Sequence, residues 1–232
     1  MDILATATIG NKLPRPHHFD YMHLLRDGKL QLRNLMGCHD WVMYTIREIS
    51  DLQGWSRRVL ELHRNRLNWG KIKRCSTQLQ ERLENGLVNI LDMRISLAQG
   101  LERDRSIVTE IYIHAALVYL YVVVFGAQVD APKLRYQVSM ALEALKGTPK
   151  RLLIRLSWAF GIVACMAKRE EQEQFRDVFF KARQAGFWTG TVSKAILLAE
   201  ECWRLREGQK PLLGAIDWMI AMDSLGIRIL LI

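Results

Sequence analysis

Apolar residues recur every three or four positions along most of the chain, which is the spacing of one buried face of an α-helix. The first series predicts a helix over residues 30–52, with His39, Arg47 and Asp51 on its polar side. Only residues 228–232 alternate, weakly, as a strand would. Further helices are predicted around residues 72–90, 107–125, 134–145, 152–165, 175–182, 192–203 and 216–222.

Turn-forming residues separate several of these series. Gly126 is suited to a C-terminal cap, Asp130 is placed to cap the next helix, and Pro132 fits that helix's first turn. Residues 147–149, Gly-Thr-Pro, then close that helix. Short connections of this kind join antiparallel neighbours. We therefore predict an all-α fold: an N-terminal tail, residues 1–29, and a single domain, residues 30–232, of about eight or nine antiparallel-packed helices.

The composition is that of a globular protein, with 232 residues, half of them apolar. The most apolar run, residues 111–127, is slightly short for a bilayer span and contains His114, so we predict a buried core helix and no membrane contact. The first residues lack the pattern of a secretory signal. Four widely separated cysteines without zinc-finger spacing indicate reduced thiols. We expect an intracellular protein, nuclear or cytoplasmic.

Residues 54–74 form a strongly basic stretch, in which seven Lys or Arg face one Glu and two tryptophans are interleaved. The favoured interpretation is a solvated connection between the first two long helices. The alternative is a segment that contacts a phosphate backbone or another anionic surface. The formal net charge of +9 is compatible with either interpretation.

Few residues carry candidate chemistry. Glu110 and His114 are one helical turn apart, as a base with its orienting carboxylate or two metal ligands would be, although a core histidine is favoured. His17, His18 and His23 are assigned to the tail, and the six-residue spacing of Asp217 and Asp223 puts them on different helix faces. Phosphate-loop, hydrolase and metalloprotease motifs are absent from the sequence. We expect no metal site and no cofactor.

The segment Leu35-Met-Gly-Cys-His-Asp-Trp41 puts a thiol, an imidazole and a carboxylate side by side. We interpret Cys38 and Trp41 as packing residues rather than parts of a reactive site. Asp40 needs a partner beside apolar residues, and we expect it to cap backbone or to pair with an arginine such as Arg155.

Several blocks, taken in order, resemble the fungal-specific transcription factor domain, the helical regulatory region of fungal zinc-cluster regulators. The resemblance covers the chain from about residue 30 to its end. The blocks are Leu35–Trp41 with Ile46, Ile49 and Leu52; Ala115–Leu120 with Val123 and Gly126; Leu156–Trp158 with Gly161 and Ala164; Phe175-Arg176; Glu200–Trp203; Asp217-Trp218; Gly226; and Ile229–Ile232.

The resemblance implies a regulatory domain that associates with itself, as a homodimer, or with other regulators, and that senses a small apolar molecule. It supplies no catalytic residues. The family's six-cysteine zinc cluster is not in this sequence, so the chain is either part of a longer regulator or a stand-alone relative, and we expect no sequence-specific DNA contact from it.

The alternative is a stand-alone helical enzyme or binding protein for an apolar small molecule on the same scaffold. The aromatic residues Tyr119, Tyr121, Trp158 and Trp203 would then enclose the ligand, and Glu110 or His114 would act as acid or base. Because recognised catalytic motifs are absent, the non-enzymatic function is favoured.

Overall fold

A computed structural model describes residues 32–62, 69–97, 99–184, 191–208 and 216–227. All regular secondary structure in these residues is helical, which confirms the predicted all-α class. The helices are α1 (Leu32–Met36), α2 (Asp40–Leu62), α3 (Trp69–Ser96), α4 (Leu101–Phe125), α5 (Pro132–Gly147), α6 (Lys150–Leu153), α7 (Ser157–Cys165), α8 (Arg169–Arg183), α9 (Thr191–Glu207) and α10 (Trp218–Ser224), with a 3-10 turn at Ile154–Leu156.

Helix α4 lies at the centre of the fold. It packs against α2 and α3, which precede it, and against α5 and α7, which follow it. Side chains on all its faces are buried between Arg105 and Val122, because this stretch has almost no polar face. By length and composition α4 could cross a membrane, but 78% of its most apolar window is buried inside the protein. This confirms the predicted buried core helix.

The remaining helices extend the same core. Every residue of α7 is buried, and α9 packs against α7, α8 and α10. A continuous cluster of buried apolar side chains runs from Cys38 to Met222. Burial of this cluster supplies the main driving force for folding and makes the described helices one domain.

Helix α3 is amphipathic and approaches α2 closely at one point. A Cβ added at Gly86 would lie 2.1 Å from Cη2 of Trp41. The glycine therefore lets the indole of Trp41 lie directly on the backbone of α3. This contact agrees with the packing role predicted for Trp41.

Two predicted helices are interrupted. The first is divided into α1 and α2 at Gly37, whose φ of +74° is a left-handed conformation that an α-helix cannot contain. The helix predicted over residues 152–165 is divided by the 3-10 turn. Within the described ranges, eight helices are seven residues or longer, which agrees with the predicted number.

The caps around α5 are partly as predicted. Gly126 ends α4 with φ +81°, and Pro132 occupies the first turn of α5. The predicted cap at Asp130 is wrong, because Ala131 is the N-cap residue and makes no side-chain cap bond. Asp130 instead forms an ion pair with Lys168, whose Nζ lies 2.7 Å from Oδ1 of Asp130. The hydrogen bond from Lys168 lowers the pKa of this carboxyl.

Some predictions lie outside the described residues. These are the tail with its three histidines, the centre of the basic stretch at residues 63–68, and residues 228–232. The two long helices that the basic stretch was predicted to connect are present as α2 and α3. Among the four free cysteines, only Cys75 is partly exposed; the other three are buried, as expected of core thiols.

Candidate functional site

The Leu35–Trp41 segment forms the junction of α1 and α2. Cys38 is fully buried, and burial raises the pKa of its thiol far above the usual range, so it does not supply a nucleophilic thiolate. His39 is half-buried, and the pKa of its imidazole is lowered. The main cause is burial, and the second is the positive charge of Arg105. The segment is therefore structural at Cys38 and holds a neutral imidazole at His39.

Asp40 takes one of the two roles predicted for it. Its carboxylate accepts the backbone N–H of Arg33 at 2.7 Å and so ties α1 to the start of α2. Arg155, the other suggested partner, lies against Gly37, where an added Cβ would come 2.6 Å from its Nη1. Gly37 thus provides both the left-handed turn and the space for the Arg155 side chain.

Glu110 and His114 have separate partners. Glu110 forms an ion pair with Arg94 of α3, whereas Nδ1 of His114 lies 2.6 Å from Oε1 of Gln137 on α5. Burial lowers the pKa of His114, which favours the neutral imidazole. Each side chain joins α4 to a different neighbour, and an acid or base role for them stays a prediction.

Two of the predicted ligand-binding aromatics, Tyr119 and Trp158, pack against each other in the core. Their ring centroids are 6.1 Å apart in an edge-to-face arrangement, and Tyr112 stacks on the other side of Trp158 at 5.9 Å. The Tyr119 hydroxyl donates to Oε1 of Gln53 at 2.9 Å. These contacts make the two rings part of the packed interior; their ligand-binding role stays a prediction.

The other two predicted aromatics have different contacts. Tyr121 packs near Phe125, with centroids 6.4 Å apart, and burial raises the pKa of its hydroxyl to about 12. Trp203 donates from Nε1 to the carbonyl of Ala164 at 2.8 Å and lies under the guanidinium of Arg176 at 5.1 Å. Trp203 also lines a surface cleft of about 330 Å³. The four aromatics thus belong to the same buried cluster but contact different partners, and a shared ligand-binding role for them stays a prediction.

A cleft of about 370 Å³ is bordered by three segments of the chain. These are α1 with Gly37, the start of α4, and α6 with the 3-10 turn that follows it. Four arginines line it, and we call it the arginine cleft: Arg33, Arg105, Arg151 and Arg155. Asp104 is the carboxylate among the described lining residues, and the exposed side chain of Leu101 supplies apolar surface. The cleft thus combines excess positive charge with an apolar wall.

The four arginines differ in how their charge is matched. Arg151 binds Asp104 at 2.7 and 2.9 Å, and Arg105 pairs with Glu102. Arg105 is 8% exposed, and its Nε is buried without a hydrogen-bond partner.

Arg33 and Arg155 are exposed, and neither guanidinium forms an ion pair or side-chain hydrogen bond with another described residue. Two of the four positive charges in the cleft are therefore unmatched by described residues.

The cleft is not evident from the sequence. Its arginines come from positions that are far apart in the chain, and the sequence suggests Arg155 only as a partner for Asp40. A weak local signal exists, because neither Arg33 nor Arg155 has an acidic residue three or four positions away, where a helical ion pair would place it. Only the packing of α1 and the 3-10 turn beside α4 unites the set.

The described residues thus define an all-α domain with a packed aromatic interior and charged surface clefts, and they hold no group of three His, Cys, Asp or Glu arranged to bind a metal. The chain belongs to the family of the fungal specific transcription factor domain, whose model matches residues 1–232. No solved structure gives a significant match.

Curated relatives of the chain are fungal transcription regulators. It is 28% identical over 207 residues to the trichothecene biosynthesis transcription regulator TRI10 of Trichoderma arundinaceum. The aligned region covers 88% of this chain and 46% of that protein. It is 25% identical over 232 residues to TRI10 of Fusarium sporotrichioides, covering 99% and 51%. The ustiloxin B cluster transcription factor ustR of Aspergillus flavus is 25% identical over 231 residues, covering 91% and 38%. The chain spans about half the length, or less, of these relatives.

Proposed function

We propose that this chain is the helical regulatory domain of a transcription regulator that controls a set of biosynthetic genes in the nucleus. The observation that carries the proposal is the family match over residues 1–232. It is supported by relatives whose names describe control of trichothecene biosynthesis and of the ustiloxin B cluster. Regulation then depends on what the folded domain binds, rather than on a reaction that it catalyses.

The geometry supports binding rather than turnover. The side chains of Glu110 and His114, predicted as an acid–base pair, contact Arg94 and Gln137 on two different helices. A general base must reach the proton that it removes, and these contacts join helices instead. The surface, in contrast, offers an open charged cleft and exposed apolar side chains.

The proposal is tested by fusing the chain to a heterologous DNA-binding domain and measuring a reporter gene in a fungal host. We expect the fusion to change reporter transcription several-fold relative to the DNA-binding domain alone. Tyr119→Ala, which breaks the core, should abolish the change, whereas Lys133→Gln on the exposed start of α5 should leave it intact.

A second arm uses deletion of the gene in its host. A change in the transcripts of a biosynthetic gene set would support the proposal. A fusion that acts like the DNA-binding domain alone, together with a deletion that leaves all such transcripts unchanged, would contradict it.

We further propose that the domain forms a homodimer. Support comes from an exposed apolar row on α3, formed by Val88, Leu91 and Ile95 at helical spacing, of which Ile95 is 85% exposed. A two-fold dimer buries the same surface on both copies, and such a row can pack against itself around its central Leu91.

Light scattering tests the dimer and should give a dimer mass for the wild type. Leu91→Glu should shift this mass to that of a monomer, whereas Thr77→Glu, on an exposed part of α3, should not. A wild-type monomer at micromolar concentration would contradict dimerisation.

A further inference from the structure

We propose that the arginine cleft binds a small organic acid, with its carboxylate at Arg33 and Arg155 and its apolar body against the exposed side chain of Leu101. The cleft volume of about 370 Å³ falls in the range of about 300–1,000 Å³ that small-molecule sites occupy. Binding of the acid does not depend on the proposed function. Only the role of the acid as a regulatory effector rests on it.

The charge balance of the cleft favours an anion. The carboxylates of Asp104 and Glu102 are already bound to Arg151 and Arg105. The carboxylate of Asp40 accepts the backbone N–H of Arg33. The guanidiniums of Arg33 and Arg155 form no ion pair with a described residue, and the four arginines outnumber the three carboxylates of Asp104, Glu102 and Asp40. An arginine fork recognises a carboxylate through two parallel hydrogen bonds, which is the strongest geometry that it can form.

The local backbone is built to hold Arg155 at this place. Gly37 adopts φ +74°, and any side chain there would come 2.6 Å from Nη1 and 2.9 Å from Cδ of Arg155. The backbone oxygen of Arg155 accepts the hydroxyl of the buried Tyr112 at 2.9 Å. The base of the Arg155 side chain is thus fixed to the core, while its guanidinium is exposed.

The apolar wall argues for an organic acid rather than an inorganic anion. Leu101, which lines the cleft, is 65% exposed and supplies apolar surface that a ligand can cover, whereas Val108 and Leu152 behind it are already buried in the core. An inorganic phosphate would leave this surface uncovered. A carboxylic acid with an apolar body gains from both parts of the cleft.

The test is calorimetric titration of the purified chain at 150 mM salt with benzoate and octanoate, each compared with its neutral amide. Screening at this salt concentration removes weak, delocalised attraction of anions to a basic protein. We expect at least one acid to bind with one molecule per chain and its amide to bind at least about tenfold more weakly, because only the acid forms charge-assisted hydrogen bonds.

Three variants locate the binding. Arg155→Gln and Arg33→Gln should each weaken binding of that acid about tenfold, since each removes one charged donor. Lys133→Gln makes the same change of charge at an exposed site on α5 and should bind as the wild type does. Circular dichroism checks that all three remain folded.

Several outcomes would overturn the inference. These are no binding of either acid at millimolar concentration, equal binding of acid and amide, or an effect of Lys133→Gln equal to that of Arg155→Gln. Inorganic phosphate that binds as tightly as the acid would refute the role of the apolar wall. Duplex DNA that displaces the acid and loses affinity in Arg155→Gln would assign the cleft to a phosphate backbone instead. If neither acid binds but the reporter fusion changes transcription, the ligand is refuted and the proposed function stands.

Discussion

The core around Tyr119 and the arginine cleft both involve helix α4, the cleft at its start and Tyr119 in its second half. They differ in whether their polar and charged side chains have bonding partners. In the core, the Tyr119 hydroxyl and the His114 ring are hydrogen-bonded to side chains of neighbouring helices. In the cleft, the guanidiniums of Arg33 and Arg155 form no ion pair with a described residue. Matched polar groups hold a fold together, whereas unmatched charge at an open surface leaves capacity for a ligand.

The largest expected effect comes from breaking the core. Tyr119→Ala removes a ring that packs edge-to-face on both Trp158 and Trp218, and it should lower the free energy of unfolding by about 3–5 kcal/mol. Tyr119→Phe, the control, loses only the hydroxyl bonded to Gln53 and should cost about 1–3 kcal/mol. Urea unfolding measures both values, and equal small losses would mean that the ring is not part of a tight core.

The junction that supports the cleft should be the next most sensitive position. Gly37→Ala places a Cβ against Arg155 at a positive φ, and we expect a loss of about 2–4 kcal/mol. Gly226 has a similar φ of +64° but nothing within 4 Å, so Gly226→Ala should cost only about 1–2 kcal/mol.

Adding Arg155→Ala to Gly37→Ala should recover the difference between the two glycine variants. If the two substitutions cost the same amount in thermal or urea unfolding, the close approach of Arg155 to Gly37 has no energetic weight.

A smaller effect should depend on pH and comes from His114. Burial lowers the pKa of this imidazole below the ordinary 6.5, so the unfolded chain binds more protons than the folded chain between the two pKa values. Stability is therefore fully present above pH 6.5 and falls as the pH decreases through this window.

His114→Gln should cost about 1 kcal/mol at pH 7.5 through its altered contact with Gln137, and its stability should fall less steeply on acidification. Denaturation midpoints at pH 7.5, 6.5 and 5.5 make the comparison. Since His39 also has a lowered pKa, the variant should retain part of the slope; an unchanged slope would show that His114 does not titrate as described.

The smallest effect on stability should come from the cleft itself. Arg155→Gln removes no ion pair among described residues, so the free energy of unfolding should change by no more than about 0.5 kcal/mol. Arg94→Gln, in contrast, leaves the largely buried carboxylate of Glu110 without its partner and should cost about 1–3 kcal/mol. Similar losses in the two variants would mean that Arg155 is structural after all.

Periodicity predicts the helices well because burial of one face follows from local spacing. The predicted cores of α3, α5 and α9 lie within the observed helices. Periodicity missed the break at Gly37, because Leu35, Cys38 and Val42 keep helical spacing across it. Asp130 was a reasonable cap by residue type, but Lys168, 38 positions away, provides its actual contact.

Side-chain partners are harder to predict than helices. Glu110 and His114 are close by helical geometry, yet their hydrogen bonds go to Arg94 and Gln137, which only the packing of α3 and α5 brings near. The arginine cleft likewise depends on three segments that are distant in the chain. Sequence spacing indicates which residues share a face, and tertiary packing decides what faces them.

The central position of α4 also has a consequence for how the chain is made on the ribosome. When α4 emerges, α2 and α3 are available to cover part of it, but α5 and α7 have not yet been synthesised. A strongly apolar helix therefore remains half-covered until residue 165 has left the exit tunnel. Nascent chains that stop between α4 and α7 should consequently be substrates for chaperones and prone to aggregate.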